Sequence, residues 1–63
     1  MNIGATVKKL RDKKNITQQE LGESIGATQA MIAQIERGTR VLSLPLAVEV
    51  AKALGVTLDD LVA

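Results

Sequence analysis

The stretch from Thr17 to Gly38 limits what this chain can fold into more than any other. Thr17 and Glu20 stand in the T-x-x-E spacing of a capping box, in which hydroxyl and carboxylate satisfy each other's backbone amides and start a helix. Leu21, Gly22 and Ile25 then fall on one side at helical spacing. Gly26 stands where that helix must turn left-handed, a conformation open to a residue without Cβ. Two residues later Thr28 is placed to cap a second helix, whose apolar side is Met31, Ile32 and Ile35. Gly22 sits where a steeply crossing helix would press on the first, and its small size permits close approach. Two short helices at a steep angle with a tight glycine turn between them are a helix-turn-helix.

The outward side of the second of these helices carries Gln29, Ala30, Ala33, Gln34 and Arg37. Alanines allow close approach to a surface. The planar glutamine amide carries both a donor and an acceptor, matching the N6/N7 edge of adenine in the major groove. The bland alternative is a solvated helix face; the turn, the caps and the two apolar faces favour the reading surface.

These features resemble the DNA-binding domain of the lambdoid phage repressors and Cro proteins, and of the related bacterial XRE-type regulators. Leu21, Gly22, Ile25, Gly26, Ile32, Ile35 and the run Glu36-Arg37-Gly38 carry the resemblance. V-K-K-L-R from Val7 to Arg11 and A-K-A-L-G-V from Ala51 to Val56 extend it over nearly the whole chain. It implies an all-α, compact five-helix lambda-repressor-like domain over 1–63, with the helix-turn-helix formed by helices 2 and 3. It also implies contact with double-stranded DNA by Gln18, Thr28, Gln29 and Gln34. Ala30 matches a contact position that is often polar in the family, so the recognised sequence differs. The family loop after the third helix lies along the DNA backbone; here Thr39 and Arg40 occupy it, and Val41 and Leu42 make it unusually apolar. In the family, the residues matching Arg11 and Glu36 form a partly buried ion pair, expected here because both lie on the flanks of apolar faces.

The pattern predicts helices over about 3–14, 18–25, 29–36, 44–54 and 58–62. Asn2 caps the first, whose stripe is Ile3, Val7 and Leu10 with the stem of Lys14 alongside; Asn15 suits the left-handed position beyond its end. Ser43 caps the fourth, where Pro45 is tolerated in the first turn. Leu44, Ala47, Val48, Ala51 and Leu54 are expected to face the core, with Leu46 pointing away. Thr57 and Asp60 repeat the cap pattern before the last helix.

Composition bounds the function. At 63 residues there is one domain with a thin core, burying about 60% of the unfolded surface. No aromatic residue is present, so Leu, Ile, Val, Ala and Met must fill the core. Without His or Cys there is no zinc-ligand set, no thiol nucleophile and no ready general base, so neither enzyme, metal, cofactor nor small-molecule substrate is expected. The net charge of +1 is modest for a nucleic-acid partner, but Lys8, Lys9, Arg11, Lys13 and Lys14 crowd the first helix, while Glu49, Asp59 and Asp60 lie toward the other end. No run of apolar residues is long enough to span a membrane, and a cytoplasmic location is the simplest expectation.

Sequence-specific, repressor-type regulation of transcription is therefore the first expectation, with helix 3 reading the major groove. Arg37, Thr39 and Arg40 would hold the backbone, and the amides near Gln18 would favour a phosphate. One domain offers limited contact, so a homodimer on DNA is expected, with the loop end, Leu46, Leu58 and Val62 as its contact surface. The alternative is a protein-interaction regulator on the same fold, for example an antitoxin, favoured by the apolar segment from Val41 to Val50.

Overall fold

A computed structural model describes residues 2–62; Met1 and Ala63, the outermost positions of the expected domain, lie outside the described residues. The helices are α1 (Ile3–Lys13), α2 (Gln18–Ser24), α3 (Gln29–Arg37), α4 (Leu44–Leu54) and α5 (Leu58–Val62), and no strand occurs among the described residues. The fold is thus all-α with five helices.

Side chains at the helix starts take up amides that have no partner within the helix. Asn2 Oδ1 accepts from the Ala5 amide at 3.0 Å, Thr28 Oγ1 from Met31 at 3.1 Å and Ser43 Oγ from Leu46 at 3.4 Å. At α2 the exchange is reciprocal: Thr17 Oγ1 accepts from the Glu20 amide at 3.0 Å, and Glu20 Oε1 accepts from the Thr17 amide at 2.9 Å. Thr57 and Asp60 make the same exchange at α5. The backbone amides of Thr17 and Thr57, and then their hydroxyls, hold the Glu20 and Asp60 carboxyls below their ordinary pKa values by stabilising the charged form.

Helix ends differ from expectation by single residues. Lys14, at φ −91° and ψ 0°, is the C-cap of α1 and not its last residue, because Asn15 follows with a left-handed φ of 58°. Ile25 is likewise the cap of α2, not its last helical residue. In contrast, α3 runs one residue further, through Arg37, because the left-handed break comes at Gly38 with φ 82°.

Leu21, Ile32, Val7, Val50, Leu54 and Leu61 are buried almost completely and bring one residue or more from each helix to a single core. The α3 helix packs against both α1 and α2, and two glycines let it do so. A Cβ at Gly22 would lie 3.0–3.1 Å from the backbone of Ala27 and Thr28, where the turn enters α3. A Cβ at Gly4 would collide with the Ile35 carbonyl oxygen and lie 2.8 Å from that of Glu36, at the other end of α3. The second approach had no sequence expectation.

The buried face of α4 is rotated from the expected one. Ala47, Val50, Ala51 and Leu54 face the core, whereas Leu44 is 66% exposed and Val48 only half-buried. Leu46 is half-buried and packs against the core rather than pointing away, as does Leu58. Leu, Val and Ala occupy nearly every side of α4, so spacing alone did not choose the face. Lys14 is exposed, and its ammonium group lies near Gly55 at the end of α4.

One polar cluster lies between the helices. Arg11 Nε donates to Glu36 Oε2 at 2.8 Å and Nη2 donates to Glu36 Oε1 at 3.2 Å, a two-point contact. Arg11 Nη1 donates to the Ile16 carbonyl at 2.7 Å and lies 3.2 Å from Asp12 Oδ1. The Arg11 and Glu36 side chains are 10% and 4% exposed. The Glu36 hydrogen bonds raise the Arg11 pKa above its ordinary value. Glu36 Oε1 also accepts from Gln18 Nε2 at 2.9 Å, so this carboxylate ties α3 to both α1 and α2.

Two stability outcomes are expected. Arg11→Ala and Glu36→Ala each strand a partner in a site shielded from water and should cost about 3–5 kcal/mol, seen as a lower urea midpoint. Lys9→Ala and Glu49→Ala, at exposed positions, should change stability by no more than about 0.5 kcal/mol. Equal small shifts in all four would mean that the pair does not hold the helices together. Gly4→Ala is the second case. In an open helix interior this change stabilises by about 1 kcal/mol. Here the Cβ meets two carbonyl oxygens of α3, so the thermal midpoint should fall; a rise would contradict the close approach.

Candidate nucleic-acid interface

Burial of Ile32 and Ile35 turns the opposite side of α3 outward. Gln29, Ala30 and Arg37 are exposed, and Ala33 and Gln34 are half-buried along the same side. Thr28, just before the helix, is exposed with its hydroxyl oxygen on the Met31 amide. The expected reading residues therefore share one surface.

Their amides are not free rotors. Gln29 Nε2 donates to Gln18 Oε1 at 3.0 Å, and Gln18 Nε2 donates to Glu36. An ionised carboxylate only accepts, so Gln18 must turn its nitrogen inward and its oxygen toward Gln29. Gln29 is left with its own oxygen and one N–H for an outside partner. Further along, Gln34 Oε1 accepts from Arg40 Nε at 2.9 Å. Thr39 lies beside this contact: its amide and hydroxyl both donate to the Gln34 carbonyl, at 3.0 and 3.2 Å. Thr39 thus closes the end of α3 in addition to lying on the exposed side.

The recess beside Gln29 is open to solvent, about 530 Å³ in volume, and lined by Arg11, Thr17, Gln18, Gln19 and Gln29. Its one charged lining residue, Arg11, is already neutralised by Glu36. The seven-residue α2 carries the fully exposed Glu20 in its first turn, which opposes an anion near the amides expected to favour one. Arg37 and Arg40 enter no ion pair among the described residues, and both are exposed. On α1 and its C-cap, Lys8, Lys9, Lys13 and Lys14 are exposed, Lys8 lying 3.5 Å from Asp12. Arg11 does not contribute to that basic surface, because it is turned inward.

The apolar side differs from the expected dimer surface. Leu46 and Leu58 are partly committed to the core, and Val62 is 36% exposed. The strongly exposed apolar residues are Val41 and Leu44, at 91% and 66%. Spacing could not have shown the Gln18–Glu36 and Gln34–Arg40 contacts. The first joins different helices, and the second depends on the left-handed Gly38 folding the loop back over α3.

No helix among the described residues is long and apolar enough to cross a membrane. The sequence profile of the Helix-turn-helix family matches residues 7–61. The chain is 41% identical over 54 residues to the uncharacterized HTH-type transcriptional regulator YgzD of Bacillus subtilis (strain 168), covering 86% of this chain and 82% of the relative. The fold is similar to that of the clp gene regulator ClgR from Corynebacterium glutamicum, with a TM-score of 0.94, 30% identity and 97% of this chain covered; the match spans 65% of that longer chain. It is also similar to the P22 c2 repressor in complex with a synthetic operator, with a TM-score of 0.89, 28% identity, and 97% and 92% of the two chains covered. The chain belongs to the helix-turn-helix family of transcriptional regulators, of the XRE and Cro-like kind, a family of DNA-binding regulators rather than enzymes.

Proposed function

We propose that this chain is a sequence-specific, repressor-type regulator that binds double-stranded DNA in the cytoplasm, with α3 entering the major groove. The observation that carries this reading is the outward side of α3. Its two glutamines flank two small alanines, and Gln18 holds Gln29 in one orientation. The free oxygen and N–H of Gln29 match the N6 donor and N7 acceptor of adenine. Ala30 and Ala33 offer methyl contact to thymine, with Gln18 and Thr28 flanking the groove. Arg37, Thr39 and Arg40, exposed together at the end of α3, would contact the sugar–phosphate backbone at the edge of the groove. The similarity to the operator-bound P22 c2 repressor supports the same mode of docking.

One reading helix covers few base pairs, so the full site would take two copies related by a two-fold axis, with α3 helices about 34 Å apart. Val41 and Leu44 are the apolar residues free to meet in such a pair, with Val62 near the end of the described chain. The same exposed residues favour a second reading, in which the principal partner is another protein, as for an antitoxin. Salt separates the two readings. Counterion release makes DNA binding fall steeply with salt, whereas an apolar interface does not require this.

Selection of bound sequences from random duplexes should yield a two-fold repeated site. Against that site, Gln29→Ala and Gln34→Ala should each lose about 1–3 kcal/mol of discrimination at particular base pairs with the fold intact. Arg37→Ala should weaken all sequences alike and reduce the salt slope by about 1. If the double glutamine variant binds the selected site as wild type does, α3 is not the reader. Leu44→Glu should reduce cooperativity on the full site and leave half-site affinity and thermal stability nearly unchanged. Equal losses on half and full sites would remove Leu44 from the pairing surface.

A further inference from the structure

We infer that Arg40 sets the base preference of Gln34 by fixing which end of its amide faces the DNA, an inference that rests on the reading role of α3 proposed above. A guanidinium has donors only. The 2.9 Å contact from Arg40 Nε therefore admits one orientation of Gln34, with Oε1 turned to the arginine. No acceptor among the described residues takes up Gln34 Nε2, so its two N–H groups remain for an outside partner.

Gln34 then differs in polarity from Gln29. Gln29 spends a donor on Gln18 and keeps its oxygen unshared, whereas Gln34 shares its oxygen and keeps both donors. In the major groove, guanine offers the O6 and N7 acceptors, thymine offers O4, and cytosine offers only an N4 donor. Gln34 is thus set to favour guanine or thymine and to disfavour cytosine. The anchor of this contact is local. Thr39 binds the Gln34 carbonyl through its amide and hydroxyl, and the left-handed Gly38 brings the loop back over the last turn of α3. Arg40 is exposed at the edge of this surface, so it acts on the base through Gln34 and carries positive charge toward the backbone. It is a positioning residue for readout as well as a phosphate contact, and the two roles have different signatures. A lost phosphate contact weakens every sequence alike, whereas a lost orienting contact changes the ranking of bases at one position.

The test uses the full chain and duplexes it selects from a random pool, with the base pair sensitive to Gln34→Ala varied through its four possibilities. Wild type should prefer guanine or thymine there. Arg40→Met frees the amide to turn, so the spread of affinities over the four pairs should narrow by about tenfold. Arg40→Lys retains a donor and should keep the wild-type ranking. Circular dichroism melting should be unchanged in both variants, since residue 40 is exposed. Arg40→Met with a uniformly lower affinity but the same ranking would overturn the orienting role while leaving α3 as the reader. A Gln34→Ala profile identical to wild type at every base pair, or the recovery of no preferred sequence, would remove the reading role itself and this inference with it.

Discussion

The Glu36 carboxylate is the point on which the arrangement of helices depends. It lies 4% exposed on α3 and receives two hydrogen bonds from Arg11 on α1 and one from Gln18 on α2. A buried charge is costly unless its acceptor sites are filled, and no buried side-chain polar atom among the described residues lacks a partner. Such a pair contributes little net stability compared with an apolar filling of the same volume, but breaking it is expensive. Its value is geometric. It rejects any packing of the three helices that separates these groups, in a chain whose core has no aromatic residue to impose a shape of its own.

The two glycines act on the same arrangement from the other side. Gly22 and Gly4 bring the backbone of α2 and α1 against the start and the end of α3. Close approach shortens the distance that Arg11 and Gln18 must reach, and their contacts with Glu36 keep the helices from sliding. The helix that carries the outward glutamines is therefore seated at both ends by backbone contact, and locked by charge at the end where Gly4 meets it. Such seating suits a surface whose side chains must meet fixed base edges.

Much of this was legible in the sequence wherever the cause was local. Caps at Asn2, Thr17, Thr28, Ser43 and Thr57, and left-handed positions at Asn15, Gly26, Gly38 and Gly55, each depend on residues within four of one another. The helix-turn-helix followed from them. The spacing of α4 fits two faces, and contact with the rest of the core, not periodicity, selects Val50 over Leu44. Gly4 gave no signal, since a glycine inside a helical pattern looks like a weak point until the crossing helix is known. Arg11 and Glu36 were recognisable by their flank positions and by resemblance, but the branch from Glu36 to Gln18 and Gln29 was not. It runs from α3 to α2 and back to α3, across 18 and 11 residues of sequence.

That branch also explains why residue 18 is a glutamine. The position must donate inward to a carboxylate and accept outward from Gln29. Lysine can donate to Glu36 but has no acceptor to offer Gln29, and glutamate would place a second carboxylate against the first. A serine hydroxyl can do both but lacks the length to bridge them. The glutamine amide has this reach and carries donor and acceptor on separate atoms, pointing apart. Polarity therefore passes outward from the buried charge in one sense only: Glu36 accepts, Gln18 turns, and Gln29 presents its oxygen. Burial of a charge in the core thereby determines the hydrogen-bonding character of a residue on the surface.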